Sequence, residues 1–173
     1  MDRNAPHTAR LGTRIVAALL LSLALAAPAV AGDFSILFNG KAIHIDPAPG
    51  TNFNEKNWGV GFQYDFAPTA GEWIPFVTAA EFRDSNRNIS YYAGGGFLRR
   101  YDFFGGSVHV DAGGVAFLMV RKDFRDGDPF PGILPVLSVG AGRYAVNMTY
   151  IPKVDPKMVP IVYLQLKITL GEL

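Results

Sequence analysis

Three residues of this chain have the side-chain types that can carry out acyl transfer, namely His44, Asp84 and Ser85. In such chemistry a neutral imidazole removes a proton from a hydroxyl group, a carboxylate orients the imidazole, and a nearby donor stabilises the oxyanion. Asp84 and Ser85 are adjacent in the polar stretch EFRDSNRN (81–88), whereas His44 lies well upstream. Because Asp, Ser and Asn are also the residues that turns prefer, an ordinary polar loop is the alternative interpretation of this stretch.

The elements that would position these residues are β-strands, because the hydrophobic pattern of the chain has a period of two. In Trp58–Phe66 (WGVGFQYDF) every even position is large and apolar, and every odd position is Gly, Gln or Asp. The segments Arg143–Tyr150 and Val162–Leu170 repeat this alternation. Strict alternation over such a length predicts a strand with one apolar face and one small or polar face.

Counting such segments predicts eight strands that are joined alternately by short turns and longer, more polar loops. The segments are 36–45, 57–66, 73–83, 90–100, 107–120, 133–141, 143–151 and 159–170. This arrangement is typical of outer-membrane β-barrels, because lipid offers no hydrogen-bond partners and the sheet must close on itself. The sequence therefore predicts an all-β fold, an eight-stranded antiparallel transmembrane β-barrel.

A soluble β-barrel or sandwich, with its apolar face turned inward, is the alternative fold. Such a sheet would place charged residues on its opposite face, whereas that face here carries small residues such as Gly59, Gly61, Gly94 and Gly96. Eight strands normally enclose just enough space for side chains to fill. Glycines on the inward face therefore predict a cavity inside a membrane barrel.

The chain is predicted to consist of a signal peptide and one domain. Residues 1–31 have the basic start, the apolar run Ile15–Leu25 and the small residues Ala29–Ala31 of a cleaved secretory signal, which leaves 32–173 as a single barrel domain. The formal net charge of +1 provides no basic excess, so nucleic acid is not expected as a partner. The chain contains no cysteine, so disulfides are excluded.

The predicted topology places the three candidate residues at one end of the barrel. If the barrel starts in the periplasm, odd-numbered strands run outward, so His44 ends the first strand and Asp84–Ser85 follow the third. His109 begins the fifth strand and is expected at the opposite, periplasmic end. Two distant histidines do not form a metal cluster, and Gly94–Gly96 lies inside a strand with no helix after it. Neither a metal nor a cofactor is therefore predicted.

Several motifs resemble a known family. They are ILPVLSVG (133–140), NMTYIP (147–152), NEKNWGVGF (54–62), FRDS (82–85) and AGGG (93–96). Together they resemble the lipid A palmitoyltransferases of Gram-negative outer membranes, the PagP-type family, over most of the predicted barrel. The resemblance implies an eight-stranded barrel with a lipid-filled pocket in its outer half, and an enzyme that moves a palmitoyl chain from a phospholipid to lipid A or a similar glycolipid.

The resemblance also implies roles for individual residues. Carried over by motif, His44, Asp84 and Ser85 are the catalytic residues at the outer rim. Gly96 matches the glycine at the pocket floor that acts as a hydrocarbon ruler, and Gly94 is assigned to the same pocket.

Two prolines, Pro135 and Pro152, match those that flank gaps in the barrel wall. Proline donates no ladder hydrogen bond, so strands part there and a lipid can enter sideways. The expected protein is a monomer of the outer membrane.

Two alternative functions stay open at this point. Only about a dozen residues separate Ala31 from His44, which leaves little room for the amphipathic helix with which family members often begin. One alternative is therefore a PagP-like barrel without catalysis that serves as a lipid-binding or structural surface protein. The other is a lipid A deacylase or phospholipase, in which the same residues deliver water instead of a sugar hydroxyl.

Overall fold

The computed structural model describes residues 31–69, 72–153 and 158–172, and this part of the chain forms eight strands. The strands are β1 (Gly32–His44), β2 (Lys56–Phe66), β3 (Trp73–Arg83), β4 (Ile89–Phe103), β5 (Val108–Arg121), β6 (Phe130–Ala141), β7 (Tyr144–Ile151) and β8 (Ile161–Glu172). Each strand pairs antiparallel with the next, and β8 pairs with β1, so the sheet is a closed barrel. The predicted fold is confirmed. The predicted signal peptide, apart from Ala31, lies outside the described residues.

Several strands extend beyond their predicted bounds. β1 begins at Gly32, which pairs with Phe66, and β6 begins at Phe130, which pairs with Met119. The alternation of apolar and polar side chains is weak at these ends, so the sequence did not predict a strand there. Pro131 is also a residue that strand interiors disfavour. A proline is tolerated because the early part of β6 is bonded to β5 on one side only.

The side chains alternate between the two faces of the barrel wall as the sequence predicted. On β2, Trp58 and Val60 are 68% and 59% exposed, whereas Asn57 and Gln63 are buried. Large apolar residues are exposed on other strands too: Phe97, Leu118, Ile133, Tyr144 and Val146. Apolar side chains thus cover the outer wall, which excludes the soluble alternative. No helix among the described residues is long and apolar enough to cross a membrane.

The barrel has two different ends, which we call the loop end and the turn end. The connections β1–β2, β3–β4, β5–β6 and β7–β8 lie at the loop end, and the connections β2–β3, β4–β5 and β6–β7 lie at the turn end. Towards the turn end the interior contains ion pairs. Arg100 makes two hydrogen bonds to the buried Asp111, at 2.8 and 2.9 Å, and the buried Lys167 bonds to Asp65 at 3.0 Å. Buried charges of this kind must be paired, because burial strips them of water.

A belt of polar side chains crosses the middle of the barrel. Gln165 donates to Asn39 Oδ1 at 2.7 Å and to the Tyr92 hydroxyl at 3.1 Å. Tyr163 donates to the same Asn39 oxygen at 2.9 Å, and Asn147 donates to Gln165. The belt connects β1, β4, β7 and β8 across the lumen, and it separates the charged interior from the space at the loop end.

The ladder between β6 and β7 is incomplete towards the loop end. It runs only from Ala141 opposite Tyr144 to Val136 opposite Thr149. The remaining residues of β6, from Phe130 to Pro135, are bonded to β5 but not to β7. The barrel wall therefore lacks ladder hydrogen bonds at this place.

Candidate active site

The candidate site lies at the loop end, where the β1–β2 and β3–β4 loops are bonded to each other. Asn54 makes the main connection: its backbone N–H donates to the Ser85 carbonyl at 2.8 Å, and its side chain donates to the Asp84 carbonyl at 3.0 Å. Asn57 adds a bond from its amide to the Arg83 carbonyl at 2.7 Å. These bonds hold the backbone on both sides of the candidate residues in one arrangement.

His44 and Ser85 are brought together by this arrangement. The Nε2 atom of His44 lies 3.0 Å from the Oγ atom of Ser85, within hydrogen-bond distance. His44 is only 8% exposed, and its ring stacks on Phe53 with centroids 4.3 Å apart and planes 10° from parallel. An imidazole and a hydroxyl in this relation are the pair that acyl transfer requires.

Asp84 lies beside this pair, but its carboxylate has other partners. One oxygen accepts hydrogen bonds from the backbone N–H groups of Asn86 and Asn88, both at 2.9 Å. The other accepts from the Ser90 hydroxyl at 2.9 Å and lies 3.6 Å from Arg121. None of these contacts is with His44. The carboxylate instead fixes the conformation of the loop that carries Ser85.

The carboxylate nearest to His44 in the described contacts belongs to Glu55, which the sequence reasoning did not select. Its Oε1 atom lies 3.8 Å from Nδ1 of His44, and its Oε2 atom lies 3.9 Å from Nζ of Lys41. Glu55 belongs to the motif NEKNWGVGF (54–62), which was used only to recognise the family. Its place directly before β2 was the available signal, because the start of β2 adjoins the end of β1.

A further set of contacts ties the β3–β4 loop to the β5–β6 loop. The Asn86 amide donates to Asp123, and Arg121 donates to the two oxygens of the same carboxylate at 3.3 and 3.2 Å. Burial alone would raise the pKa of Asp123, but the hydrogen bonds from Arg121 and Asn86 outweigh it and lower the pKa. Asp123 is therefore ionised at neutral pH and holds both loops in place.

A cavity of about 130 Å³, which we call the loop cavity, lies below the candidate residues. Asp84, Ser85 and Arg121 line it at the loop end. Much of its remaining surface is apolar: Phe76, Phe82, Val115, Phe117, Leu134, Val136, Ile151 and Ile161. Four residues of the polar belt, Tyr92, Asn147, Tyr163 and Gln165, also line it. A second, more polar cavity of about 250 Å³, the turn cavity, lies near the turn end. An apolar cavity that begins at a hydroxyl–imidazole pair can hold a hydrocarbon chain with its ester at that pair.

Gly94 and Gly96 do not line the loop cavity, whereas the residues opposite them on the neighbouring strands, Phe117 and Phe76, do. Gly96 is opposite Phe76 on β3, and a Cβ atom on Gly96 would lie 3.0 Å from the Phe76 ring. Gly94 is opposite Phe117 on β5, and a Cβ atom there would lie 2.7 Å from Phe117 Cβ. In both cases the atom nearest to such a Cβ is a backbone carbonyl oxygen of β5, that of Gly114 at Gly96 and that of Ala116 at Gly94.

The other residues selected from the sequence are distributed as follows. Pro135 lies in β6 where the ladder to β7 is missing, and Pro152 directly follows β7, so the two prolines border the interrupted part of the wall. His109 lies at the turn end, 3.9 Å from the Asp111 carboxylate. No group of three or more potential metal ligands occurs among the described residues.

Comparisons with known proteins identify the family to which the chain is similar. The family model described as "Antimicrobial peptide resistance and lipid A acylation protein PagP" matches residues 44–165. The chain is 34% identical to the lipid A acyltransferase PagP of Methylobacillus flagellatus over 101 residues, which is 58% of this chain and 54% of that protein. It is 32% identical to the lipid A acyltransferase PagP of Legionella pneumophila over 128 residues, 70% of this chain and 66% of that protein.

The matched region thus spans about half the length of the Methylobacillus relative. Among solved structures, the outer membrane protein Ail of Yersinia pestis aligns with a TM-score of 0.44 and 12% identity, over 80% of this chain and 99% of that one. The family match covers residues from the candidate histidine to the polar belt on β8. The chain therefore belongs to the PagP family, whose setting is the outer membrane of Gram-negative bacteria.

Proposed function

We propose that this protein is an acyltransferase that moves a long acyl chain, of the palmitoyl type, from a phospholipid to lipid A or a similar glycolipid. The observation that carries the proposal is that an apolar cavity begins at Ser85, whose hydroxyl is within hydrogen-bond distance of His44. Relatives that carry the name lipid A acyltransferase support the identity of the acceptor. The proposal also takes residues 1–31 as an export signal and the barrel as a monomer, since the eight strands close within one chain.

In the proposed reaction the neutral His44 imidazole acts as general base through Nε2. It takes the proton from the acceptor hydroxyl, whose oxygen forms a bond to the carbonyl carbon of the donor ester. The bond from that carbon to the glycerol oxygen breaks, and the imidazolium returns the proton to this oxygen. The products are an acylated glycolipid and a lysophospholipid. The Ser85 hydroxyl provides a polar contact beside the ester, and Asp84 holds the loop that carries Ser85.

The acyl chain would lie in the loop cavity, with Phe76 as a main part of its floor. Going from the loop end to the turn end of β3, Phe76 is the last residue that lines the loop cavity, and the next inward residue, Ile74, lines the turn cavity. Beside Phe76, Gln63 and Gln165 bring polar groups to the same depth. The structure therefore favours Phe76, rather than Gly96 itself, as the residue that limits chain length.

The interrupted wall between β6 and β7 would admit the donor lipid. An acyl chain that enters from the membrane must pass between strands, and a ladder with its hydrogen bonds in place resists this. Pro135 and Pro152 keep this part of the ladder open, since neither can donate a backbone hydrogen bond. Of the side chains beside the opening, Ile133 is 81% exposed on the outer face.

Mass spectrometry of lipid A from cells with and without the protein tests the proposed function. A gained acyl chain, accompanied by lysophospholipid, is the expected result. A lost chain would support the deacylase or phospholipase alternative, in which His44 activates water. Unchanged lipid A in cells that display folded barrel would support the non-catalytic alternative.

A further inference from the structure

The Nδ1 atom of the His44 ring has an unusual environment. Nε2 faces Ser85, but Nδ1 is buried and has no hydrogen-bond partner among the residues that the structure describes. A buried polar atom without a partner is costly and requires an explanation, of which a catalytic role is one. Catalytic hydrogen bonds are often long without substrate and shorten in the substrate complex. The ring itself cannot turn away readily, because it is stacked on Phe53.

Two carboxylates lie near the candidate pair, and only one of them is available to Nδ1. The Asp84 oxygens already accept from Asn86, Asn88 and Ser90, so Asp84 is committed to its own loop. Glu55 approaches from the other loop, with Oε1 at 3.8 Å from Nδ1.

The backbone next to Glu55 is already fixed. Its carbonyl accepts from the Ala42 N–H at 3.0 Å, and the preceding Asn54 is bonded to the β3–β4 loop. A rotation of the half-exposed Glu55 side chain that shortens the contact by about 1 Å would complete a hydrogen bond.

We propose that Glu55 is the positioning residue for His44. When substrate covers the site, Oε1 accepts a hydrogen bond from the N–H of Nδ1, so the neutral ring keeps its proton on Nδ1 and its unprotonated Nε2 is directed at the reacting hydroxyl. The same carboxylate then stabilises the imidazolium that forms during proton transfer. Lys41 contacts the other oxygen, Oε2, and so leaves Oε1 free for the ring. This role rests on the proposed acyltransferase function.

Kinetics of purified barrel with phospholipid and lipid A in mixed micelles provide the first test. For Glu55→Ala we expect kcat to fall about 10-fold or more. This is part of the rate enhancement of about 10²–10⁴-fold that general-base catalysis contributes. The KM for the phospholipid should stay unchanged, because Glu55 does not line the loop cavity. Glu55→Gln should recover part of the loss, since its amide oxygen still accepts from Nδ1. Glu72→Ala, which removes an exposed carboxylate at the turn end, is the matched control, with kcat close to that of the parent.

The ¹⁵N NMR signals of the histidine rings provide a second test that needs no turnover. In the parent barrel with a non-hydrolysable ether phospholipid bound, His44 should be the tautomer with its proton on Nδ1, and Glu55→Ala should convert it to a mixture; His109→Gln assigns the signals. An unchanged tautomer together with an unchanged kcat in folded Glu55→Ala would overturn the role of Glu55 and leave the acyltransferase intact. A parent barrel that transfers no acyl chain would instead overturn the proposed function.

Discussion

The Nε2 atom of His44 lies 3.0 Å from the Oγ atom of Ser85, although β2 lies between the strand that ends at His44 and the strand that precedes Ser85. A similar contact spans β2 deeper in the barrel, where the Asn39 amide donates to the Glu81 carbonyl at 3.1 Å. Gly59, which pairs with Asn39 and with Phe82, has no side chain to block it. Gly59 thus lets β1 and β3 approach each other on the inner face of the barrel wall.

We expect Gly59→Ala to weaken this approach. A Cβ atom on Gly59 would lie 2.0 Å from the Glu81 carbonyl oxygen, so the strands must shift. Overpacking of this kind typically costs about 1–3 kcal/mol. Urea unfolding should show the loss of stability, and acyl transfer should fall because His44 and Ser85 move apart. Val60→Ala, on the lipid-facing side of the same strand, is the control; equal stability of the two variants would contradict this account.

Substitution of the candidate pair should remove activity without unfolding the barrel. We expect His44→Asn to lower kcat about 10²–10⁴-fold, the usual contribution of a general base, and Ser85→Ala to lower it as well. The release of lysophospholipid measures the rate. His109→Asn, at the turn end, should retain the parent rate. A His44→Asn barrel with parental activity would exclude His44 as the base.

We expect Asp84→Ala to make the β3–β4 loop more mobile, in addition to any change in the rate of acyl transfer. The variant leaves two backbone N–H groups and the Ser90 hydroxyl without their acceptor, at a cost of about 1–3 kcal/mol for each buried group. Trypsin should then cleave after Arg87 faster than in the parent. Asp128→Ala, in the exposed β5–β6 loop, controls for loss of a carboxylate. Equal cleavage rates in both variants would show that Asp84 does not hold the loop.

Joining β6 to β7 across the interrupted ladder should block entry of the donor. The chain has no cysteine, so a Pro135→Cys/Tyr150→Cys pair can be linked by a short bifunctional maleimide. These positions face each other if the β6–β7 register is continued. The linked barrel should lose transfer from phospholipid, and the unlinked one should retain it. A linked Val139→Cys/Val146→Cys pair, inside the intact ladder, is the control; full activity of both linked barrels would place the entry elsewhere.

Phe76→Ala should lengthen the acyl chain that the enzyme accepts. Removal of the ring opens space at the boundary between the two cavities, because a core truncation leaves a void that the surroundings fill only in part. Mass spectrometry of the product should show added chains longer than those of the parent by about two carbons or more. Phe97→Ala removes an equal side chain from the outer face and should leave chain length unchanged. Identical chain lengths in all three proteins would exclude Phe76 as the floor.

The period-two pattern determined the architecture, because a strand places successive side chains on opposite faces whatever its neighbours are. From Trp58–Phe66 and similar segments one could deduce eight strands, an apolar outer wall and the alternation of loops and turns. Together with strand direction, this placed His44 and Ser85 at the same end. These features are local or follow from closing the sheet, so the sequence was sufficient for them.

Only the tertiary structure decided which side chains meet across the lumen and between loops. The sequence could not show that Asp84 is committed to its own loop while Glu55 faces His44, or that Phe76 lies opposite Gly96 and lines the cavity. These contacts depend on the register between neighbouring strands and on how the loops pack against each other. Alternation along one strand specifies which face a residue occupies, but not which residue lies opposite it, and that second relation determines the site.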